Sequence, residues 1–242
     1  MPHENLLYLA DRSHFPYGNK SHKELRIIIT KTIEYISRYN PKLIVIASNT
    51  PSVQLLDDIK DSINIPVVGV RPPLKEACQI TKKKHIGIMA TEATIRSKKL
   101  EDQIRREVPQ NFLITKFNAS PVIELIENGT FLTDQRRTYN VISHILGDDI
   151  VSKIDVITLS STHLPFVRSY LTHLLPTMKF LDPSKMVAKD ARKFLASKRA
   201  LKKEGSGEMQ VLTTEGKKDF ERIIRSMGFI EHVEEVPIHF GL

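Results

Sequence analysis

Short runs of β-branched and aliphatic residues alternate with helical periodicity along the whole chain, and that alternation restricts the folds open to it. Residues 43–47 (LIVIA), 66–70 (PVVGV), 85–89 (HIGIM) and 156–160 (VITLS) are strongly apolar. Such runs mark strands buried on both sides of a parallel sheet, and 43–47 is the clearest of them. Residues 5–10, 113–117 and 210–213 read as further strands. Residues 23–38 place Leu25, Ile28, Ile29, Ile33 and Ile36 at helical spacing. Helices are also expected over 52–62, 74–82, 121–128, 134–147, 166–174, 184–197 and 217–227, the last stopped by Gly228. Residues 202–207 (KKEGSG) are the clearest loop. The pattern predicts an α/β protein of mainly parallel sheet flanked by helices.

Two strand ends echo each other. Residues 44–50 read IVIASNT and residues 157–163 read ITLSSTH, with Pro51 and Pro165 following. In open parallel sheets, ligands bind beyond the carboxyl ends of strands, near helix N-termini. Ser48 and Ser161 therefore stand where binding or catalytic residues stand. The plain structural alternative is capping, since Ser, Asn and Thr are favoured helix caps. Two sites in matching positions, one with His163, favour function.

Composition removes other classes. No apolar run reaches the length of a membrane span, and the opening MPHENLLYLADRSHF lacks the basic-then-apolar order of a signal peptide. One cysteine, Cys78, excludes an internal disulfide framework and a Cys-rich metal site, so a cytoplasmic location is expected. The nine histidines show neither HxH nor HExxH spacing, and no lysine sits in an identifiable pyridoxal phosphate motif. No metal, cofactor or membrane is expected. The charge of +8 raises nucleic acid as a partner. The basic residues are spread out, however, and the densest patch, 189–203, has the spacing of a solvated helix face, so nucleic acid is not expected.

At the two serine motifs the sequence resembles the glutamate racemase family, in the cofactor-independent aspartate/glutamate racemase superfamily. The family's Ala-Cys-Asn-Thr stands here as Ala47-Ser48-Asn49-Thr50, and its Gly-Cys-Thr-His-Tyr-Pro as Ser160-Ser161-Thr162-His163-Leu164-Pro165. Leu9-Ala10-Asp11 with Phe15-Pro16-Tyr17-Gly18 is similar to its substrate-proximal Pro-Tyr-Gly loop. Residues 65–70, the run Gly87–Thr91 with Ala93 and Thr94, Ile126-Glu127-Asn128-Gly129 and Leu181-Asp182-Pro183-Ser184 continue the match in order. Both cysteines, the family's catalytic bases, are serine here. The family's opening Asp-Ser-Gly-x-Gly-Gly segment has no counterpart. Either it lies upstream, or a strand and two substrate-contacting residues are lost. Cys78 matches no catalytic position and reads as a packing residue.

The resemblance implies two similar lobes with the ligand between them: residues 1–91 plus 183–242, and residues 92–182. It implies racemisation of glutamate, or a related acidic amino acid, by two-base proton transfer without cofactor, as in supply of D-glutamate for bacterial peptidoglycan. Ser48 and Ser161 take the acid/base positions, with His163, Asp11 and Glu127 as helpers. Pro16, Tyr17, Gly18, Asn49, Thr50, Thr91, Thr94 and Thr162 match the substrate contacts, and helix N-termini after Thr50 and Thr162 would supply N–H groups to the substrate carboxylate. Family members commonly dimerise, which makes a homodimer a candidate assembly. A thiol of pKa about 8.5 suits such a relay. A hydroxyl is a far weaker acid and needs an adjacent base, so the physical expectation is weak or absent activity. The alternative is a non-catalytic binding protein for an acidic amino acid or similar small anion.

Overall fold

The structure is a computed structural model, and it describes residues 1–236. Its strands in chain order are β1 (Leu6–Ala10), β2 (Ile44–Ile46), β3 (Val67–Gly69), β4 (His85–Ala90), β5 (Leu113–Asn118), β6 (Val156–Leu159), β7 (Lys179–Leu181), β8 (Met209–Thr213) and β9 (Val233–Glu235). Helices separate most of them, as the alternation predicts. The chain divides into two compact units. One comprises Met1–Val45, Asp58–Val68 and the chain from Ala188 onward; the other comprises Ile46–Asp57 and Gly69–Val187.

In the first unit, β1, β8 and β9 form a parallel sheet in the order β1-β8-β9, and β2 pairs with β3. The register runs from Leu6 opposite Met209 to Ala10 opposite Thr213. Parallel register carries the next residues, Asp11 and Thr214, to the same end of the sheet. Helix His22–Ser37 covers the sheet. It opens on a capping box, in which Ser21 Oγ accepts from the Glu24 N–H and Glu24 Oε2 accepts from the Ser21 N–H. Its buried face is Leu25, Ile28, Ile29 and Ile33, the stripe the spacing predicts.

In the second unit, β4 is central in a four-stranded parallel sheet of order β5-β4-β6-β7. All of β6 is buried, as is β4 after His85. Gly87 lets the strands approach: a Cβ there would lie 2.8 Å from Ile157 and 2.9 Å from Phe117. Val53, Leu74, Ile88, Ala90 and Leu100 form one core cluster; Ala77, Ile86 and Val156 form another, with Cys78 packed against it.

Several expectations change. Residues 69–91, assigned by resemblance to the first lobe, belong with the second unit, because β4 pairs with β5 and β6 there. Residues 46–57, with Ser48, and residues 183–187 likewise cluster with the second unit. Val53, one turn beyond Ser48, packs into that unit's core. β2 is not buried on both faces, since Val45 is 41% exposed between buried Ile44 and Ile46. The helix expected over 52–62 starts earlier and breaks. It runs as Asn49–Gln54, then Leu56–Ile59, then a 3₁₀ turn at Lys60–Ser62. Pro51 falls in its first turn, where a missing N–H costs little. The helix expected over 166–174 begins as a 3₁₀ turn at Leu164–Val167 before Arg168–Leu174. Helix Lys98–Glu107, β7 and β9 have no counterpart in the sequence reading.

Candidate active site

The register of the second unit gathers its polar residues. Met89 pairs with Leu159, and the Ser160 N–H donates to the Met89 carbonyl at 2.8 Å. Thr91 and Ser161 thus leave adjacent strands at the same carboxyl end. Thr158 and Ser160 lie beneath, fully buried, their hydroxyls 2.9 Å apart.

Ser161 is 5% exposed, and its Oγ lies 3.4 Å from His163 Nδ1. The backbone N–H of His163 also reaches Ser161 Oγ, at 3.4 Å. On the other side of the ring, His163 Nε2 bonds Glu127 Oε1. A carboxylate only accepts, so Nε2 carries a hydrogen; in the neutral ring Nδ1 is then the acceptor that faces the Ser161 hydroxyl. Hydroxyl, imidazole and carboxylate form one chain. Helix Ser120–Glu127, which follows β5, supplies Glu127 from its last turn. Asn128 caps the helix, and Gly129 (φ 78°) turns the chain away in the left-handed region that favours glycine. A carboxylate at a helix C-terminus is electrostatically misplaced, so helix stability does not account for Glu127.

The β2 end is built differently. Ser48 is the N-cap of helix Asn49–Gln54, with extended backbone (φ −146°, ψ 129°), yet its side chain makes no capping bond. The capping alternative therefore does not explain this hydroxyl. Asn49 is 3% exposed, and neither amide atom has a hydrogen-bond partner among the described residues. Burying such a group unpaired costs about 1–3 kcal/mol. Natural proteins rarely leave buried polar groups so. Thr50 points the other way, into a triad of hydroxyls: its Oγ1 is 3.1 Å from Thr91 Oγ1 and 3.3 Å from Thr94 Oγ1, and Thr91 donates to Thr94 at 2.9 Å. Thr91 also caps helix Glu92–Ile95. Thr50 sits inside its helix rather than before it, and His163 rather than Thr162 precedes the 3₁₀ turn. Thr162 is half-buried.

Asp11 and the Pro16-Tyr17-Gly18 loop belong to the first unit. The Asp11 side chain is 4% exposed. Its Oδ2 accepts from the Tyr17 hydroxyl at 2.9 Å. Its Oδ1 bonds His14 Nδ1 at 2.7 Å, Ser13 Oγ at 3.2 Å and Thr214 Oγ1 at 3.3 Å. Thr214 Oγ1 also accepts from the Ser13 N–H at 3.0 Å. Burial, then the Asp11 charge, raises the pKa of the Tyr17 hydroxyl and keeps it protonated. The Phe15–Pro16 peptide is cis, and Tyr17–Asn19 form a 3₁₀ turn that includes Gly18. Ser13, His14 and Thr214 escaped the sequence reading; Thr214 lies 203 residues from Asp11. Among the described residues, no group of three or more His, Cys, Asp or Glu could hold a metal ion.

The family model described as Asp/Glu/hydantoin racemase matches residues 1–191. The chain belongs to this family. Within it the chain sits with the glutamate racemases. That of Herpetosiphon aurantiacus is 31% identical over 227 residues, covering 92% of this chain and 87% of its own. The crystal structure of a glutamate racemase isoform from Bacillus anthracis superposes with a TM-score of 0.85 at 25% identity, covering 98% of this chain and 90% of its own. That of Francisella tularensis, solved with D-glutamate, superposes at 0.81 with 24% identity over 97% and 88% of the two chains. As a racemase-family member this chain carries hydroxyls at Ser48 and Ser161, where the resemblance expects thiols.

Proposed function

We propose that the chain is a glutamate racemase that moves the α-proton of L- or D-glutamate between two faces without a cofactor. The observation that carries this reading is the Ser161–His163–Glu127 chain at the carboxyl end of β6. A serine hydroxyl alone is too weak a base, and a neighbouring imidazole removes that obstacle. His163 takes the proton that Ser161 gives up, and Glu127 stabilises the imidazolium that forms, as in other hydroxyl–imidazole–carboxylate sites. Ser48 acts on the opposite face. Asn49, with two unpartnered amide atoms, binds the substrate; Thr50, Thr91, Thr94 and Thr162 add hydroxyls, and Pro16, Tyr17 and Gly18 belong to the substrate-proximal loop. Asp11 holds that loop through Tyr17 rather than moving protons, because both its oxygens already accept from neighbours. D-glutamate bound to the Francisella relative supports the substrate class. A homodimer and a cytoplasmic location accompany this reading, the first testable by sedimentation.

A second reading is a non-catalytic binder of an acidic amino acid. The unpartnered Asn49 amide favours it as well, since that amide asks for a ligand and not for turnover.

The test follows the α-hydrogen of L- and D-glutamate by NMR in D2O, alongside a Ser48→Cys/Ser161→Cys variant. Exchange with inversion by the unaltered chain is expected, and the variant is expected to be faster. Glutamate-dependent thermal stabilisation with no exchange by either protein supports the binder instead.

A further inference from the structure

We infer that the two serines are unequal, and that this makes proton transfer one-sided: the enantiomer whose α-hydrogen faces Ser161 exchanges it with water faster than it inverts, while the other exchanges only as it inverts. This inference rests on the racemase reading and specifies how its two faces differ.

The asymmetry is one of wiring. Ser161 Oγ lies 3.4 Å from His163 Nδ1, and Glu127 holds Nε2. The His163 side chain is 24% exposed, so the ring is not sealed from solvent. Ser48 has neither connection. It makes no capping bond, and its hydroxyl has no hydrogen bond to any described residue. Asp11, the remaining carboxylate that the sequence offers as a helper, has both oxygens engaged by Tyr17, His14, Ser13 and Thr214.

Chemistry turns this wiring into a difference in rates. When the α-hydrogen faces Ser161, the C–H bond breaks and its proton passes to Ser161 Oγ, while the hydroxyl's own proton passes to Nδ1. The electron pair stays on the α-carbon. Two exits follow. The imidazolium releases its proton to water, the neutral ring takes the captured proton from Ser161 Oγ, and Oγ takes a proton back from water; Ser161 then returns that new proton to the same face and recovers one from the ring, which is exchange with retention. Alternatively the Ser48 O–H gives its proton to the opposite face, which is inversion; the alkoxide left behind takes a proton from water, and the His163 imidazolium gives one to water, which restores both ends. A neutral hydroxyl is acid enough to protonate a carbanion, so the second exit exists. It ends on an unassisted alkoxide, so it is slower. From the opposite enantiomer, the first step needs that alkoxide as base. Once formed, the carbanion is reprotonated from the Ser161 side before the neutral Ser48 hydroxyl, which has no bonded base among the described residues, exchanges its proton with water.

Net racemisation cannot reveal this. The two enantiomers are equal in free energy, so the specificity constants for inversion match in both directions. The ratio of exchange to inversion, measured on each enantiomer, does reveal it.

The experiment incubates L- and D-glutamate separately with the full chain in D2O. Loss of the α-hydrogen is read by NMR and configuration by chiral chromatography. The expected result is a ratio above about 10 for one enantiomer and near one for the other, in keeping with the usual worth of a positioned general base. In Ser48→Cys, which places an ionisable thiol on the unassisted face, inversion speeds up and the high ratio falls towards one. In His163→Asn, the fast exchange drops to the level of inversion. Equal ratios for both enantiomers overturn the asymmetry and leave the racemase reading standing. No exchange of either enantiomer, by the unaltered chain or by Ser48→Cys, overturns both.

Discussion

The ends of β2 and β6 carry the same pattern of an apolar strand followed by serine and polar residues, and are wired in opposite ways. After β6, the serine is buried and tied through His163 to Glu127. After β2, the serine is half-buried and its hydroxyl makes no bond, while the side-chain amide of its neighbour Asn49 is buried without partners among the described residues. One end has solved its polar groups internally; the other keeps them unsolved. Internal bonds hold a hydroxyl, an imidazole and a carboxylate in line, whereas unsatisfied groups leave bonding capacity open. A motif of small polar residues at a strand end therefore says where chemistry sits, but the residues bonded to it decide which part of the chemistry each end performs.

The largest expected effect breaks the wired end. Glu127→Gln or His163→Asn is expected to lower α-proton exchange by about 100-fold or more, the usual contribution of general acid–base groups, measured at saturating glutamate. Retained exchange in His163→Asn would make Ser161 self-sufficient and erase the contrast. Next comes the unsolved end. Asn49→Leu removes two buried unpaired atoms at similar volume, and is expected to stabilise the chain by about 1–3 kcal/mol in chemical denaturation while abolishing glutamate-dependent stabilisation. A destabilised Asn49→Leu would mean that the amide is bonded in the free protein. The smallest effect compares the serines themselves. Ser161→Ala is expected to cost about 1 kcal/mol, the net worth of an ordinary hydrogen bond, and Ser48→Ala to stay within about 0.5 kcal/mol. Equal costs would show that the Ser48 hydroxyl is engaged after all.

The strands with β-branched runs were legible: β4 and β6 stand where the HIGIM and VITLS runs sit, and helix His22–Ser37 follows its apolar spacing. Other elements were not, and three of them show why. β7 and β9 have three residues each, too few for a period, and β9 carries two glutamates. Helix Lys98–Glu107 (KKLEDQIRRE) is mostly charged, and it buries Gln103, whose amide donates to the Pro72 carbonyl at 3.0 Å, where a pattern search expects an apolar side chain. In the site, the motifs offered His163, Asp11 and Glu127 together as helpers to the two serines; the structure bonds His163 to Glu127 beside Ser161, and Asp11 to Tyr17. The unpartnered state of Asn49 was not legible, because satisfaction of a polar atom depends on atoms far along the chain. Thr214 gave no local signal either, since only the pairing of β1 with β8 brings it to Asp11.

That pairing also sets an order of assembly. The chain is made from its N-terminus, and every residue of the second unit has been synthesised once Val187 is added. β1 pairs with β8 and with no other described strand, and the Asp11 carboxylate waits for Thr214, 203 residues downstream. Contacts of such separation form late, because closing the loop must be paid for before they reward it. The Ser161–His163–Glu127 chain can therefore exist on a nascent chain whose Tyr17 loop is still unset, and a chain stalled with Val187 clear of the ribosome's exit tunnel and Thr214 still inside it would carry the one without the other.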